Sequence, residues 1–339
     1  MKNHLAQLWQ KKADKKLQCN LCHHRCVIAE GQKGLCGVRQ NQQGNLYSLN
    51  YAKTIARHID PIEKKPLYHF LPGTDIFSIA TAGCNFRCSF CQNWQISQIT
   101  KGKTGQVIGE EFLPQEVVKH ALDYNCQAVA YTYTEPTIFF EYAYDTAILA
   151  KKAGLKNVFV TNGYQTPETI ELMTGLIDAV NLDLKSFNKD FYKKICGAKL
   201  SKVLDAIKLM HKKGIWIELT TLIVPGQNDS NQELKQIAEF IANLSKDIPW
   251  HISRFFPTYK MSETQATPVS TIKRAFKIGK ESGLNFIYAG NINNSKLSST
   301  NCSSCLKTLI KRDGYLIELN LKDNDRCPDC GTRLPGIFS

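Results

Sequence analysis

Three cysteines stand within eight residues in the run CNFRCSFC: Cys84, Cys88 and Cys91. Thiolates so close together can wrap one side of a metal cluster. A four-iron cluster held by only three of them keeps one iron open to a small molecule, as a catalytic zinc keeps an open position. Four more thiols, Cys19, Cys22, Cys26 and Cys36, crowd the N-terminal end, and Cys302, Cys305, Cys327 and Cys330 the C-terminal end. In the latter set two CxxC knuckles flank a 21-residue spacer. Knuckles facing each other across a hairpin give a four-thiolate tetrahedron of the zinc-ribbon kind, closed and therefore structural. The N-terminal set has a single knuckle and suits either zinc or a fully ligated auxiliary iron–sulfur cluster. His23 or His24 would be a substitute ligand there, though solvated surface histidines are the commoner case. Only Cys126 and Cys196 lack a ligand-spaced neighbour, and packing is the usual role of such residues. A hydrogen-donor role for Cys196, just after LDLKSF, is the less favoured reading.

These residues must be positioned by a body large enough to hold them. The chain has 339 residues, of which 43% are hydrophobic and 10% aromatic, enough for a sizeable core and incompatible with a disordered chain. No run of about 18 apolar residues predicts a membrane span. The charged start MKNHLAQLWQKKADKK lacks the apolar region of a secretory signal. A cytoplasmic location is expected, where clustered cysteines act as metal ligands and not as a disulfide framework. The 43 Lys+Arg against 30 Asp+Glu leave a net charge of +13. The lysines fall in scattered pairs, such as Lys64-Lys65 and Lys193-Lys194, which are usually solvated faces. A basic surface attracts an acidic electron carrier; RNA also suits a basic chain with a ribbon but is less favoured.

Three stretches differ in texture. Residues 1–50 are polar and cysteine-rich, and predict a small lobe held by metal more than by a core. Residues 51–290 form the second unit. It opens with 51–73, a proline-broken segment (DPIEKKPLYHFLPG) expected as an ordered loop. From about 76, strand patterns at 76–81, 128–132, 157–161, 179–184, 215–224, 250–255 and 285–289 alternate with helical ones at 114–124, 138–153, 167–177, 200–213, 230–245 and 268–282. Thr166-Pro167 and Asp229-Ser230 look like helix caps. The rhythm argues an α/β fold with a parallel sheet, whose carboxyl ends hold the ligand. Residues 291–339, with LIKRDGYLIEL between the two knuckles, form a third, zinc-ribbon-like unit.

The run CNFRCSFC, with an aromatic before its last cysteine and Gly83 ahead of its first, resembles the signature of the radical S-adenosylmethionine (SAM) superfamily. The resemblance implies a partial (β/α) barrel and a [4Fe–4S] cluster on Cys84, Cys88 and Cys91. It also implies SAM bound to the open iron through its amino and carboxylate groups. One electron, from a low-potential donor such as flavodoxin or ferredoxin, cleaves the sulfonium to methionine and a 5′-deoxyadenosyl radical, which abstracts hydrogen from a substrate. In YTYTEPT, Glu135 matches the family's Gly-Gly-Glu element, which contacts the cofactor's amino group, but Tyr133 and Thr134 replace the glycines. The resemblance further places Asn162 of VTNGY, Asp183 and Lys185 of VNLDLKSF, and Phe90 around the cofactor. Lys185 would meet its carboxylate and Phe90 its adenine. Arg254 of WHISRF fits the cofactor or an anionic substrate. Strand alternation lets only one of His251 and Arg254 face the barrel interior, and His251 suits a satisfied core histidine.

The order of DPIEKKPLYHFLPG, CNFRCSFCQNW, YTYTEPT, LDLKSF, IVPGQND, WHISRFFP and the cysteine-bearing tail is similar, over nearly the whole chain, to the radical enzymes of the AmmeMemoRadiSam system. These are relatives of the pyruvate formate-lyase activating enzyme. The cysteine-rich additions depart from a minimal glycyl-radical activase. The substrate, a protein or a small molecule, is not legible in one chain. The competing readings are a radical enzyme acting on RNA and a non-catalytic module stabilised by zinc throughout.

Overall fold

In the computed structural model, which describes residues 4–102, 105–292 and 294–339, the alternating runs form one nine-stranded mixed sheet. Its strands are β1 (Lys53–Pro61), β2 (Asp75–Thr81), β3 (Glu110–Glu111), β4 (Ala128–Tyr131), β5 (Lys156–Thr161), β6 (Ala179–Asp183), β7 (Trp216–Ile223), β8 (Trp250–Arg254) and β9 (Ile287–Gly290). Their order is β9-β8-β7-β6-β5-β4-β2-β1-β3. From β2 and β4 to β9 every neighbour is parallel, while β1 and β3 are antiparallel additions. Among the described residues β9 and β3 do not pair, so the sheet fits a partial barrel and not a closed one.

The connecting helices are α1 (Pro114–Asp123), α2 (Phe140–Lys152), α3 (Pro167–Met173), α4 (Leu200–Lys212), α5 (Asn231–Leu244) and α6 (Val269–Glu281). Each presents an apolar stripe to the sheet. In α4 the buried residues Leu200, Val203, Ala206, Ile207 and Met210 recur at three- and four-residue steps. Both expected caps form, with Thr166 Oγ1 accepting from Thr169 N at 3.3 Å and Ser230 Oγ from Glu233 N at 3.2 Å.

Two expectations are corrected. The first half of 51–73 is not a loop, because Lys53–Pro61 pairs with β2 from Thr54↔Thr81 to Pro61↔Asp75. Its prolines begin only at the strand's last residue, where a missing N–H is tolerated. Nor does the N-terminal segment lack a core. It folds into two three-stranded antiparallel sheets, and Leu17, Leu21, Ile28, Val38 and Leu46 are buried in the barrel's own apolar cluster.

The C-terminal segment is the expected antiparallel hairpin, Thr308–Asp313 with Leu316–Leu319. It packs behind β9 through Leu309, Ile310, Phe286 and Tyr288. Arg312 reaches from it to the barrel floor with no exposure. There its guanidinium lies 4.1 Å from the Tyr68 ring centroid, donates to Tyr68 O at 2.7 Å and approaches Glu63 Oε1 at 3.7 Å. Among the described residues no helix is long and apolar enough to cross a membrane.

Candidate active site

Strand β2 delivers the central cysteines. It ends at Thr81, and Gly83 turns the chain at φ +110°, with a Cβ there lying only 3.1 Å from Val38 Cγ1 and 3.3 Å from the Cys36 carbonyl. The loop can therefore press against the N-terminal lobe only with glycine at this position. Cys84, Cys88 and Cys91 follow and line one wall of a cavity of about 320 Å³ at the carboxyl ends of the strands. Phe86 N donates to Cys84 Sγ at 3.3 Å, and Ser97 Oγ lies 3.2 Å from Cys91 Sγ. Burial pushes the Cys84 and Cys91 thiols up. At Cys88 the neighbouring Cys196 thiol contributes more than burial does. Free thiols here keep their protons, and binding a metal would expel them.

Successive strand ends supply the opposite wall with Glu135, Asn162, Asp183 and Lys185. Glu135 is buried and engaged at both oxygens. Its Oε1 accepts from Thr161 Oγ1 at 2.7 Å and Thr137 N at 3.1 Å, and its Oε2 from Asn162 N at 2.8 Å. Burial raises its pKa against the pull of these donors. Asn162 Oδ1 accepts from Tyr164 N at 3.2 Å, which turns its Nδ2 to Asn85 Oδ1 at 2.8 Å and toward Cys84 Sγ at 3.9 Å. Lys185 Nζ meets Asp183 Oδ2 at 2.8 Å. Burial works against its charge, but Asp183, joined by Cys88 and Cys196 where these are ionised, holds its pKa well above the ordinary value. Phe90 also lines the cavity and packs on Phe191, with ring centroids 5.8 Å apart.

Arg254 is not brought to this cavity. It shares strand parity with Trp250 and Ile252, which face the helices, and its Nε donates to the Thr267 carbonyl at 2.6 Å. Ser253 lines the cavity instead. His251 is a satisfied core histidine, its Nε2 2.6 Å from Glu218 Oε2.

Lys64, Lys65 and Tyr133 also line the cavity, and Lys65 is buried, so the Lys64-Lys65 pair is not simply the solvated face its spacing suggests. Tyr133 occupies the place of a family glycine and takes a left-handed φ of +60°. Its hydroxyl donates to Asp60 Oδ2, and Lys65 Nζ sits 4.4 Å from its ring centroid and 2.6 Å from Asp60 Oδ2. The available signal was the pairing of DPIEKKP with a non-glycine residue at that turn.

The outer cysteines also converge. Cys302 Sγ lies 3.5 Å from Cys330 Sγ, Cys305 Sγ lies 3.5 Å from Cys327 Sγ, and all four sulfurs fall within 4.8 Å of one another, a geometry that can hold one metal ion. Cys19, Cys22, Cys26 and Cys36 surround a small cavity beside the Cys84 loop.

Residues 78–241 match the model of the radical SAM superfamily. The chain is 42% identical over 333 residues to an uncharacterized protein of Methanocaldococcus jannaschii, covering 97% of this chain and 98% of that one. It is 26% identical over 211 residues to the pyruvate formate-lyase-activating enzyme of Clostridium pasteurianum, covering 59% of this chain and 87% of that one. Among solved structures, SuiB of Streptococcus suis bound to S-adenosylmethionine has a similar fold, with a TM-score of 0.50 and 13% identity over 68% of this chain and 53% of that chain.

Proposed function

Because the chain belongs to the radical SAM superfamily and is an enzyme of the oxidoreductase type, we propose that Cys84, Cys88 and Cys91 hold a [4Fe–4S] cluster and that the adjoining cavity holds SAM. The observation that carries this reading is the meeting of three thiols and one ion-paired lysine on a single cavity. The donor set fits, since three soft thiolates leave one iron for a small chelating ligand. When bound, the pair supplies one-electron cleavage of the sulfonium to methionine and a 5′-deoxyadenosyl radical that takes hydrogen from a substrate.

The chain's own residues bind and orient. Lys185, kept charged, attracts the cofactor's carboxylate, and Asp183 fixes the direction of that ammonium. Glu135 holds Asn162 N and Thr161 in place and offers its remaining lone pairs to the cofactor's ammonium. Phe90 gives the adenine an apolar surface.

The finer reading follows the whole-chain motif order. The enzyme belongs with the AmmeMemoRadiSam-system radical enzymes and resembles the pyruvate formate-lyase activating enzyme in reaction type. It acts on a protein or small molecule in the cytoplasm and draws its electron from an acidic low-potential protein. Zinc fills the C-terminal four-cysteine site. After anaerobic reconstitution, dithionite and SAM should yield 5′-deoxyadenosine, and Cys88→Ala should abolish it. A chain with iron loaded on these cysteines that yields none overturns the reading.

A further inference from the structure

The two outer cysteine groups differ in spacing. Four thiolates on one zinc, at bonds of about 2.3 Å, lie about 3.8 Å apart. The C-terminal sulfurs meet that requirement. Among the described residues no three of the N-terminal sulfurs do, although all four thiols face the same cavity. The central triad does not meet it either. An iron–sulfur cube sets its ligands on a larger tetrahedron than a single ion can.

The cavity's other walls carry unused donors. Arg39 is buried and spends its Nη1 on Glu141 Oε1 at 2.9 Å, but its Nε has no partner. Asn85 is buried too. Its Oδ1 is taken by Asn162, so its Nδ2 points away from that bond and is likewise unpartnered. Both residues line the cavity with the four cysteines. A buried donor left orphaned is destabilising unless an acceptor faces it. An anionic group rich in sulfur acceptors, wider than one ion, matches the whole set.

We infer that Cys19, Cys22, Cys26 and Cys36 hold a second, fully ligated four-iron cluster, with Asn85 Nδ2 and Arg39 Nε donating to its sulfurs. Asn85 directly follows Cys84, so one residue forms the wall between the two sites. Its carbonyl accepts from His24 Nε2 at 2.9 Å on the N-terminal side, and its side-chain oxygen faces Asn162 on the other. The inference goes beyond the proposed reaction and stands without it.

The test is metal counting on the full chain purified anaerobically, with Mössbauer spectra. The expected content is about eight irons and about one zinc per chain. About four irons with two zincs would overturn the inference. Cys22→Ala with Cys36→Ala should halve the iron and leave zinc unchanged; undiminished iron would overturn it as well. Cys88→Ala should halve the iron separately, so failure at the central site is read apart from failure here. If the double variant does not fold, the count on the unsubstituted chain decides. Asn85→Leu should keep the iron and lower the midpoint potential of the N-terminal cluster, since a lost donor destabilises the more negative state. An unchanged potential would remove Asn85 from the assignment.

Discussion

Asn162 Nδ2 donates to Asn85 Oδ1 at 2.8 Å, and this bond joins the end of β5 to the cysteine loop that follows β2. Asn162 has no freedom to flip, because its Oδ1 accepts from Tyr164 N. Replacing it with alanine leaves Asn85 Oδ1 and Tyr164 N without these partners, at a cost of about 1–3 kcal/mol each. Asn162→Ala should therefore lower the denaturant midpoint of the metal-free chain. It should also slow 5′-deoxyadenosine formation by about tenfold or more, by loosening the wall beside Cys84. Unchanged values in both assays would deny the bond this role.

The Asp60–Lys65–Tyr133 contact makes a second prediction. Burial works against ionising Asp60, yet bonds from Lys65 and Tyr133 hold it below the usual carboxylate range. Its contribution to stability is present above about pH 4 and is lost as the pH falls through its lowered value. Lys65→Met removes the buried cation and leaves Asp60 only the half-exposed Lys64, 3.3 Å from its Oδ1, and the Tyr133 hydroxyl, so it should cost about 3 kcal/mol at neutral pH. Tyr133→Phe keeps the ring under Lys65 and loses one donor, a cost of about 1 kcal/mol. Urea unfolding at pH 7 should rank the two variants in that order.

Acid should release the C-terminal segment. His69 Nδ1 donates to Pro335 O at 2.7 Å, and its Nε2 accepts from Tyr288 Oη at 2.6 Å, an arrangement open only to the neutral ring. Burial holds its pKa down at about 4, with Glu218 opposing. A histidine lowered from about 6.5 binds its proton more readily when unfolded. Stability is therefore full above about pH 6.5 and declines as the pH falls toward 4, by about 3 kcal/mol from this group. His69→Gln should flatten the slope of stability against pH in that window, measured by urea midpoints. An equally steep slope would assign it to other groups.

Removing the zinc proposed at the C-terminal cysteines should be felt at the barrel floor. Cys327→Ala should lose about one zinc per chain and lower the thermal midpoint. Arg312→Met should keep the zinc but cost about 3–5 kcal/mol, because Glu63 then stays buried without its cation. A Cys327→Ala chain as heat-stable as the unsubstituted one would deny the metal a structural role.

Legibility in the sequence followed the range of the interactions. Helix α5 was visible because its cap, Ser230, and its apolar stripe Leu234, Ile237, Ala238 and Ile241 are local signals. Cys302 to Cys330 declared their site through spacing alone. Lys53–Pro61 did not look like a strand, since its pairing with β2 is long-range and a later proline dominated the pattern. Arg254 failed to reach the cavity on parity, which alternation left open between two residues. The role of Tyr133 is not legible locally, because its hydroxyl bond joins a turn to Asp60 on a strand 73 residues earlier. The wider spacing of the N-terminal thiols is a matter of ångströms, which no sequence interval encodes.

Tyr133 holds its left-handed turn through neighbours, where glycine would hold it through freedom of its own backbone. Three positions thus become one heritable unit. Among related chains, lineages with tyrosine at this turn should retain the aspartate and second lysine of DPIEKKP, while lineages with glycine should let both drift.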